Sequence, residues 1–323
     1  MPMVLLHEHL DGGLRPQTLL ELCRARGIRP PAEDAEALAA WVQANANSGS
    51  LGRYLAGFQL TVGAMASLAA CERVAFEAAE DALEDGCVLA EFRIAPLLLE
   101  PFGLAGEAVV EALLAGLARS RLPCGLIVCA MRHEPPAHTL RSALLAARYA
   151  GRGVIGFDLA GAEAGHPPGE HAAAYAAARD AGLGLTCHAG EADVGARVLE
   201  AAAVGATRIG HGIHIVDDER NMDRARELGL HFEVCPSSNV HTGAAASLAA
   251  HPLKRMLAAG LSVSLSTDNR LMSGVRLSDE WRHARQAMGL DEAALQAMNR
   301  AAAAASFMPC EALAAALASP PAG

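Results

Sequence analysis

The chain has 323 residues, 52% of them hydrophobic and 19% charged, which excludes a disordered or low-complexity protein. Its 26 basic against 36 acidic residues leave a formal net charge of −10. With no basic patch visible, nucleic acid is not an expected partner. At roughly 150 residues per domain the length admits two domains, but a single α/β barrel also fits it.

In chain order, strand-like apolar runs fall at Val4–Leu6, Cys87–Ile94, Gly125–Ala130, Val154–Leu159, Leu183–His188, Thr207–Gly210, His231–Val234 and Leu261–Ser266. Most are short and continuously apolar, as strands buried on both faces should be. Amphipathic helical patterns separate them at Gly106–Arg119, Leu140–Tyr149, Glu170–Asp180, Val194–Ala203, Glu219–Leu228 and Pro252–Ala259. About eight βα units point to an α/β fold, a (β/α)8 TIM-type barrel. About 80 mostly helical residues separate Leu6 from Cys87, far more than an ordinary βα loop. This insertion after the first strand, at about residues 15–85, is expected to form a helical cap over the barrel mouth, with residues 1–323 as one domain.

Met1–Leu6 lacks a basic flank and a cleavage-like site, so no signal peptide is expected there. No run of about 18 charge-free apolar residues occurs, so no membrane partner is expected. The Ala-rich stretch Ala301–Leu317 reads as a soluble helix, and the Pro320–Pro321 end as frayed. The eight cysteines are scattered without a C-x-x-C; the closest pair is Cys124 and Cys129. Buried, reduced thiols in a cytoplasmic protein are the expectation.

Polar residues cluster where these strands end: His7, His9 and Asp11; His188 and Glu191; His211; Asp268 and Asn269. In a (β/α)8 barrel the carboxyl ends of all strands meet at one mouth, so these distant residues become neighbours. Alternate residues of a strand share a face, so both imidazoles of His7-Glu8-His9 can turn inward. With His188 and Asp268 they make three imidazoles and one carboxylate, a set suited to Zn2+. Any one of these histidines alone would more often be packed or at the surface. Two readings are open for Glu191 in His188-Ala-Gly-Glu191. A closed apolar pocket would keep its proton on and make it a general acid. A helix N-terminus would hold it as a carboxylate. His211, between two glycines, is placed to reach a metal-activated water, or is an ordinary packed or surface histidine.

These residues lie in segments that resemble the adenosine deaminase family: Leu6–Gly12, Phe157–Glu163, Thr186–Glu191, Arg208–Gly212, Glu233–Asn239 and Ser266–Asn269, in family order and across nearly the whole chain. The resemblance implies one zinc per chain held by His7, His9, His188 and Asp268. It implies Glu191 as the acid that protonates purine N1, and His211 as the residue that orients and deprotonates the water activated by zinc, with Asp268 helping to steer it. The Gly161 N–H would meet purine N3, Asp11 the ribose 5′-hydroxyl and Asn269 purine N7. Related adenine deaminases tend to carry Glu in place of Asp11, so Asp11 favours a nucleoside. The expected reaction is hydrolytic conversion of adenosine and 2′-deoxyadenosine to inosine and deoxyinosine plus ammonia. The partner is then a small purine nucleoside, and the sequence leaves the oligomeric state open.

Two positions depart from the family pattern. Asn269 stands where many members have a second Asp. N7 only accepts, and the Asn amide donates at any pH, so the contact survives. Leu89 stands where the second strand often has Tyr. Glu91 and Arg93 nearby are expected to form a buried ion pair or network beneath the site. His251 reads as a helix-start residue, and His133, His138, His166, His171 and His283 as exposed. Leu51, Tyr54, Leu55 and Phe58 have helical spacing suited to packing, and the resemblance implies that this cap helix also lines the ribose side.

Other chemistries fit less well. A two-metal barrel hydrolase commonly bridges its metals with a lysine at the end of strand four, but the only lysine is Lys254, in a helical pattern elsewhere. Cys235-Pro236 does not form the P-C-x-x-C of the other zinc deaminase architecture. Deamination of a different 6-aminopurine nucleoside, such as aminodeoxyfutalosine, is the closer alternative. A non-catalytic barrel binding protein is disfavoured by the full ligand set and Glu191.

Overall fold

The computed structural model describes residues 2–309. Eight parallel strands run in the order β1 to β8: Met3–His9, Cys87–Ile94, Cys124–Met131, Val154–Ala160, Gly184–Ala189, Arg208–His211, His231–Val234 and Ser262–Leu265. Backbone bonds between His7–His9 and Asp268 close the ring: His9 N–H donates to the Asp268 carbonyl (2.7 Å) and Asp268 N–H to the His7 carbonyl (3.0 Å). The expected (β/α)8 barrel is therefore present, with each expected strand within a few residues of its place.

Five helices connect β1 to β2: α1 Pro16–Ala25, α2 Ala35–Ala46, α3 Leu51–Ala56, α4 Phe58–Met65 and α5 Leu68–Glu84. Local chemistry sets their starts. Pro16 opens α1, where its missing N–H costs nothing. Asp34 caps α2 by accepting from Ala37 N–H (2.8 Å), and Ser67 caps α5 by accepting from Ala70 N–H (3.2 Å). Of the five, α5 packs along β2 and the following helix, α6 (Gly106–Leu117), in the outer ring. Residues of α3 and α4 lie over the barrel mouth and line its cavity. No single helix among the described residues is long and apolar enough to cross a membrane.

Beneath the mouth lies a buried layer of charge. Arg93 donates to Glu233 (2.7 Å) and Asp158 (3.1 Å), and Arg208 donates to Glu233 and Glu91 (2.5 Å each). The expected network exists, but Glu91 and Arg93 pair with different partners rather than with each other. Leu89 is fully buried against Val4, Leu6 and Ala302–Ala303.

Of the helix read over Ala301–Leu317, Ala301–Ala305 are helical as the end of Glu292–Ala305, and Ser306–Pro309 are not. Ser306 Oγ and Phe307 N–H leave the helix to donate to Glu91 (2.6 Å each), and the Phe307 ring lies under the Arg208 guanidinium. Pro309 follows, which discourages helix at the residue before it. The rest of that stretch, the Pro320–Pro321 end and Cys310 lie outside the described residues. The seven described cysteines are free thiols, all buried except the half-buried Cys124.

Candidate active site

The side chains of His7, His9, His188 and Asp268 offer one ligand atom each within 4.8 Å of one another. His7 and His9 end β1, His188 sits in β5, and Asp268 follows β8. Glu8, between the histidines, turns the other way, to Thr267 Oγ1 (2.9 Å) and Arg270 (3.3 Å). This is the alternation expected of a strand.

Carboxylates behind the cluster fix which nitrogen is bare. His7 Nδ1–H donates to Glu233 (2.9 Å), and His188 Nδ1–H to Asp158 (3.0 Å). Both Nε2 atoms are then lone pairs aimed at the centre. The buried His7 Nε2 has no hydrogen-bond partner, yet it sits 3.3 Å from Asp268 Oδ1. His9 Nε2 lies 3.2 Å from His188 Nε2 and 3.6 Å from Asp268 Oδ1. Two acceptors that face one another as closely as His7 Nε2 and Asp268 Oδ1 repel unless a cation lies between them. Tetrahedral ligands at about 2.0–2.1 Å from a zinc ion stand about 3.3–3.4 Å apart, and these separations bracket that value. Burial pushes His9 and His188 below the ordinary imidazole range, keeping them in the neutral form that binds metal. Burial alone would raise Asp268, but the neighbouring histidines outweigh it and hold the carboxyl well below its usual range. Ser238 Oγ donates to its other oxygen (2.6 Å).

His211 and Asp268 are the only non-glycine residues with left-handed backbone among those described, at φ +61° and +60°. Such strain costs about 1–3 kcal/mol each and persists only where the surroundings enforce it. At Asp268 the enforcing element is the barrel seam. Gly210, just before His211, lets the histidines close in: a Cβ there would lie 3.0 Å from the His7 ring.

Glu191 is buried, 3.7 Å from His211 Nε2. Burial, then the charges of Asp268 and Glu163, push its pKa well above the usual carboxylate range, which favours the protonated form. Its loop is held from behind. Gly190, Glu191 and Ala192 N–H all donate to the buried Glu163 carboxylate (2.5, 3.0 and 2.7 Å).

A cavity of about 440 Å³ opens over this cluster. Asp11, Gly161, His188, Glu191, His211, Asp268 and Asn269 line its floor and walls, with Leu51, Tyr54, Leu55 and Phe58 above. The structure thus brings every site residue read from the sequence to one cavity or its metal cluster. Burial raises Asp11 to about 7. Gly12 lets Asn269 approach, since a Cβ there would lie 1.8 Å from Asn269 Oδ1.

The sequence of the adenosine deaminase family matches residues 2–319. The chain belongs to the adenosine deaminase family. Among relatives, the adenosine deaminase of Mycolicibacterium vanbaalenii is 45% identical over 310 residues, covering 89% of this chain and 85% of the relative. Among solved structures, an adenine deaminase from Arthrobacter aurescens has a TM-score of 0.87 at 27% identity, covering 98% of this chain and 97% of that one. An amidohydrolase from Burkholderia ambifaria with bound zinc has a TM-score of 0.88 at 25% identity, covering 98% and 88%.

Several residues that shape this family site had no role in the sequence reading. Asp158, Glu163, Glu233, Ser238 and Asn239 all lay inside the resembling segments, and the charge of Asp158, Glu163 and Glu233 amid apolar neighbours was the available signal. Arg132, buried and donating to the His188 carbonyl, gave none. His251 does start a helix, its Nδ1 accepting from Leu253 N–H (3.1 Å), but it is also buried against Asn239. His171, expected to be exposed, is buried because its Nδ1 pairs with Thr139 Oγ1 (3.0 Å) beneath the outer helices. His133 is exposed but borders the cavity, and His138, His166 and His283 are half-buried.

Proposed function

We propose that this enzyme of the adenosine deaminase family is a zinc-dependent hydrolase that converts adenosine and 2′-deoxyadenosine to inosine and deoxyinosine with release of ammonia. The observation that carries the metal assignment is three bare acceptors, His7 Nε2, His188 Nε2 and Asp268 Oδ1, converging with His9 Nε2 at separations of 3.2–3.6 Å. One zinc per chain fits them, and when bound it supplies a Lewis acid that makes water nucleophilic near neutral pH. The zinc in the Burkholderia ambifaria structure supports the choice of ion.

The chain's own groups supply the rest. Glu191, protonated by its burial, donates to purine N1, which draws electrons away from C6. His211 and Asp268 orient the attacking water at C6. Gly161 N–H meets N3, the Asn269 amide donates to N7, and Asp11 holds the ribose 5′-hydroxyl. Of the two protons the water gives up, one passes by way of Asp268 to the C6 amino group and the other restores Glu191, so breakage of the C6–N bond releases ammonia and leaves the 6-oxopurine. The chain reads as one domain, in which α1–α4 form the cap while α5 serves the barrel. The free cysteine thiols fit a cytoplasmic location.

The test is a panel of adenine, adenosine, 2′-deoxyadenosine and 5′-substituted adenosines, followed by loss of absorbance near the adenine band, with metal analysis of the same preparation. Adenosine and deoxyadenosine should be the best substrates, with about one zinc per chain. Preference for a 5′-extended nucleoside would move the assignment to a deaminase of the aminodeoxyfutalosine type. Near two metals per chain would overturn the single-ion site.

A further inference from the structure

We infer that His251 and Asn239 are positioning residues that set the tautomer of His211, so that His211 presents an N–H to the reacting water. The inference rests on His211 standing beside that water, as proposed above, and narrows its part to orientation by donation.

The hydrogen-bond directions follow from one group that can only donate. Leu253 N–H meets His251 Nδ1 at 3.1 Å, so Nδ1 is the bare nitrogen and the imidazole proton sits on Nε2. His251 Nε2 lies 3.2 Å from Asn239 Oδ1 and donates to it. That contact fixes the orientation of the Asn239 amide, whose oxygen and nitrogen would otherwise be interchangeable. Asn239 Nδ2 is then directed at His211 Nδ1, 3.0 Å away, and donates. His211 Nδ1 must be bare, and the His211 proton sits on Nε2, the atom facing Glu191 and the cavity.

His251, Asn239 and His211 are 5%, 0% and 1% exposed, so bulk water does not compete for these bonds. Burial pushes His251 down to about 4, which keeps it neutral and able to accept from Leu253. The reverse arrangement would set Leu253 N–H against a second N–H, or leave the Asn239 amide facing donor to donor. A bare Nε2 on a neutral His211 is therefore incompatible with the relay.

The test is 15N NMR of histidine-labelled protein, metal-free and zinc-loaded, alongside kinetics. His211 should show the Nε2–H pattern in both forms of the wild type. In Asn239→Asp the carboxylate accepts from both imidazoles, so His211 should switch to Nδ1–H, and kcat should fall about 10- to 100-fold with KM little changed. His251→Leu should give a mixture of His211 tautomers and an intermediate kcat. His251→Gln sets an amide N–H near the place of Nε2 and should restore the Nε2–H pattern and most of kcat.

Melting temperature and zinc content check that each variant is folded and loaded. An Nδ1–H or doubly protonated His211 in the wild type would overturn the relay. So would an unchanged tautomer in Asn239→Asp, or equal behaviour of the Leu and Gln variants at position 251. The Nε2–H pattern in a protein that does not deaminate adenosine would uphold the relay and overturn the proposed substrate.

Discussion

The floor and the roof of the cavity are built on opposite principles. On the floor, His7 and His188 are each held by a carboxylate from behind, Asp268 by Ser238 and the Glu191 loop by Glu163. The roof is a pair of short helices that present Leu51, Leu55, Phe58 and a buried Tyr54 hydroxyl without a partner. An over-determined floor can keep donors where charge develops, which is where catalysis gains most. A roof of apolar contacts can change shape with less effect on the chemistry, so it suits the choice of substrate.

The largest effect should come from removing a proton on the floor. Glu191→Gln is expected to lower kcat by about 10²–10⁴-fold while bound zinc stays at the wild-type level; full activity would break the acid assignment. The same group sets a pH limb. Its raised pKa means that the active, protonated form is present at lower pH and lost as pH rises through that pKa, so kcat/KM should decline on the alkaline side. The Gln variant should lack that limb.

One layer down, Glu233→Gln removes the charge that holds the His7 tautomer. It should weaken metal affinity by about 10- to 100-fold in a competition titration with a chelator. An unchanged affinity would mean that the charge layer supports only the fold. At the cavity wall, Asn269→Asp should add a pH dependence that the wild type lacks. Asp donates to N7 only when protonated, so KM should rise with pH in the variant and not in the wild type. The smallest effect belongs to the roof. Phe58→Ala should raise KM about fivefold, equivalent to about 1 kcal/mol, with kcat nearly unchanged. A loss of kcat as large as that of a floor variant would erase the distinction between the two regions.

The same division governs what the sequence disclosed. Strand-end residues such as His7, His188 and Asp268 were legible because the barrel gathers strand ends whatever the loops do. The eight strands were legible because most are apolar runs of strand length. Asp158, Glu163, Glu233 and Asn239 stood in those same segments, yet their roles needed geometry, since a partner 28 residues away for Asn239 leaves no periodic trace. His251 was the hardest case. A histidine before a proline at a helix start has a sufficient local explanation, and only packing shows its second bond. The network of Glu91 and Arg93 was legible in a similar way only in outline: the sequence allowed a pair or a network, and the barrel builds the network, with Arg208 as the partner of Glu91.

The seam between β1 and β8 has a consequence for how the enzyme comes into being. The backbone groups that close the ring belong to His7, His9 and Asp268, the same residues whose side chains, with His188, form the cluster that could hold a metal. These partners lie near opposite ends of the described chain, so their contact is among the most non-local in the fold and is expected late in folding. During synthesis the cluster cannot assemble until Asp268 has left the ribosome. A truncated or incompletely folded chain therefore lacks the complete four-ligand centre, and acquisition of that centre reports that the barrel has closed.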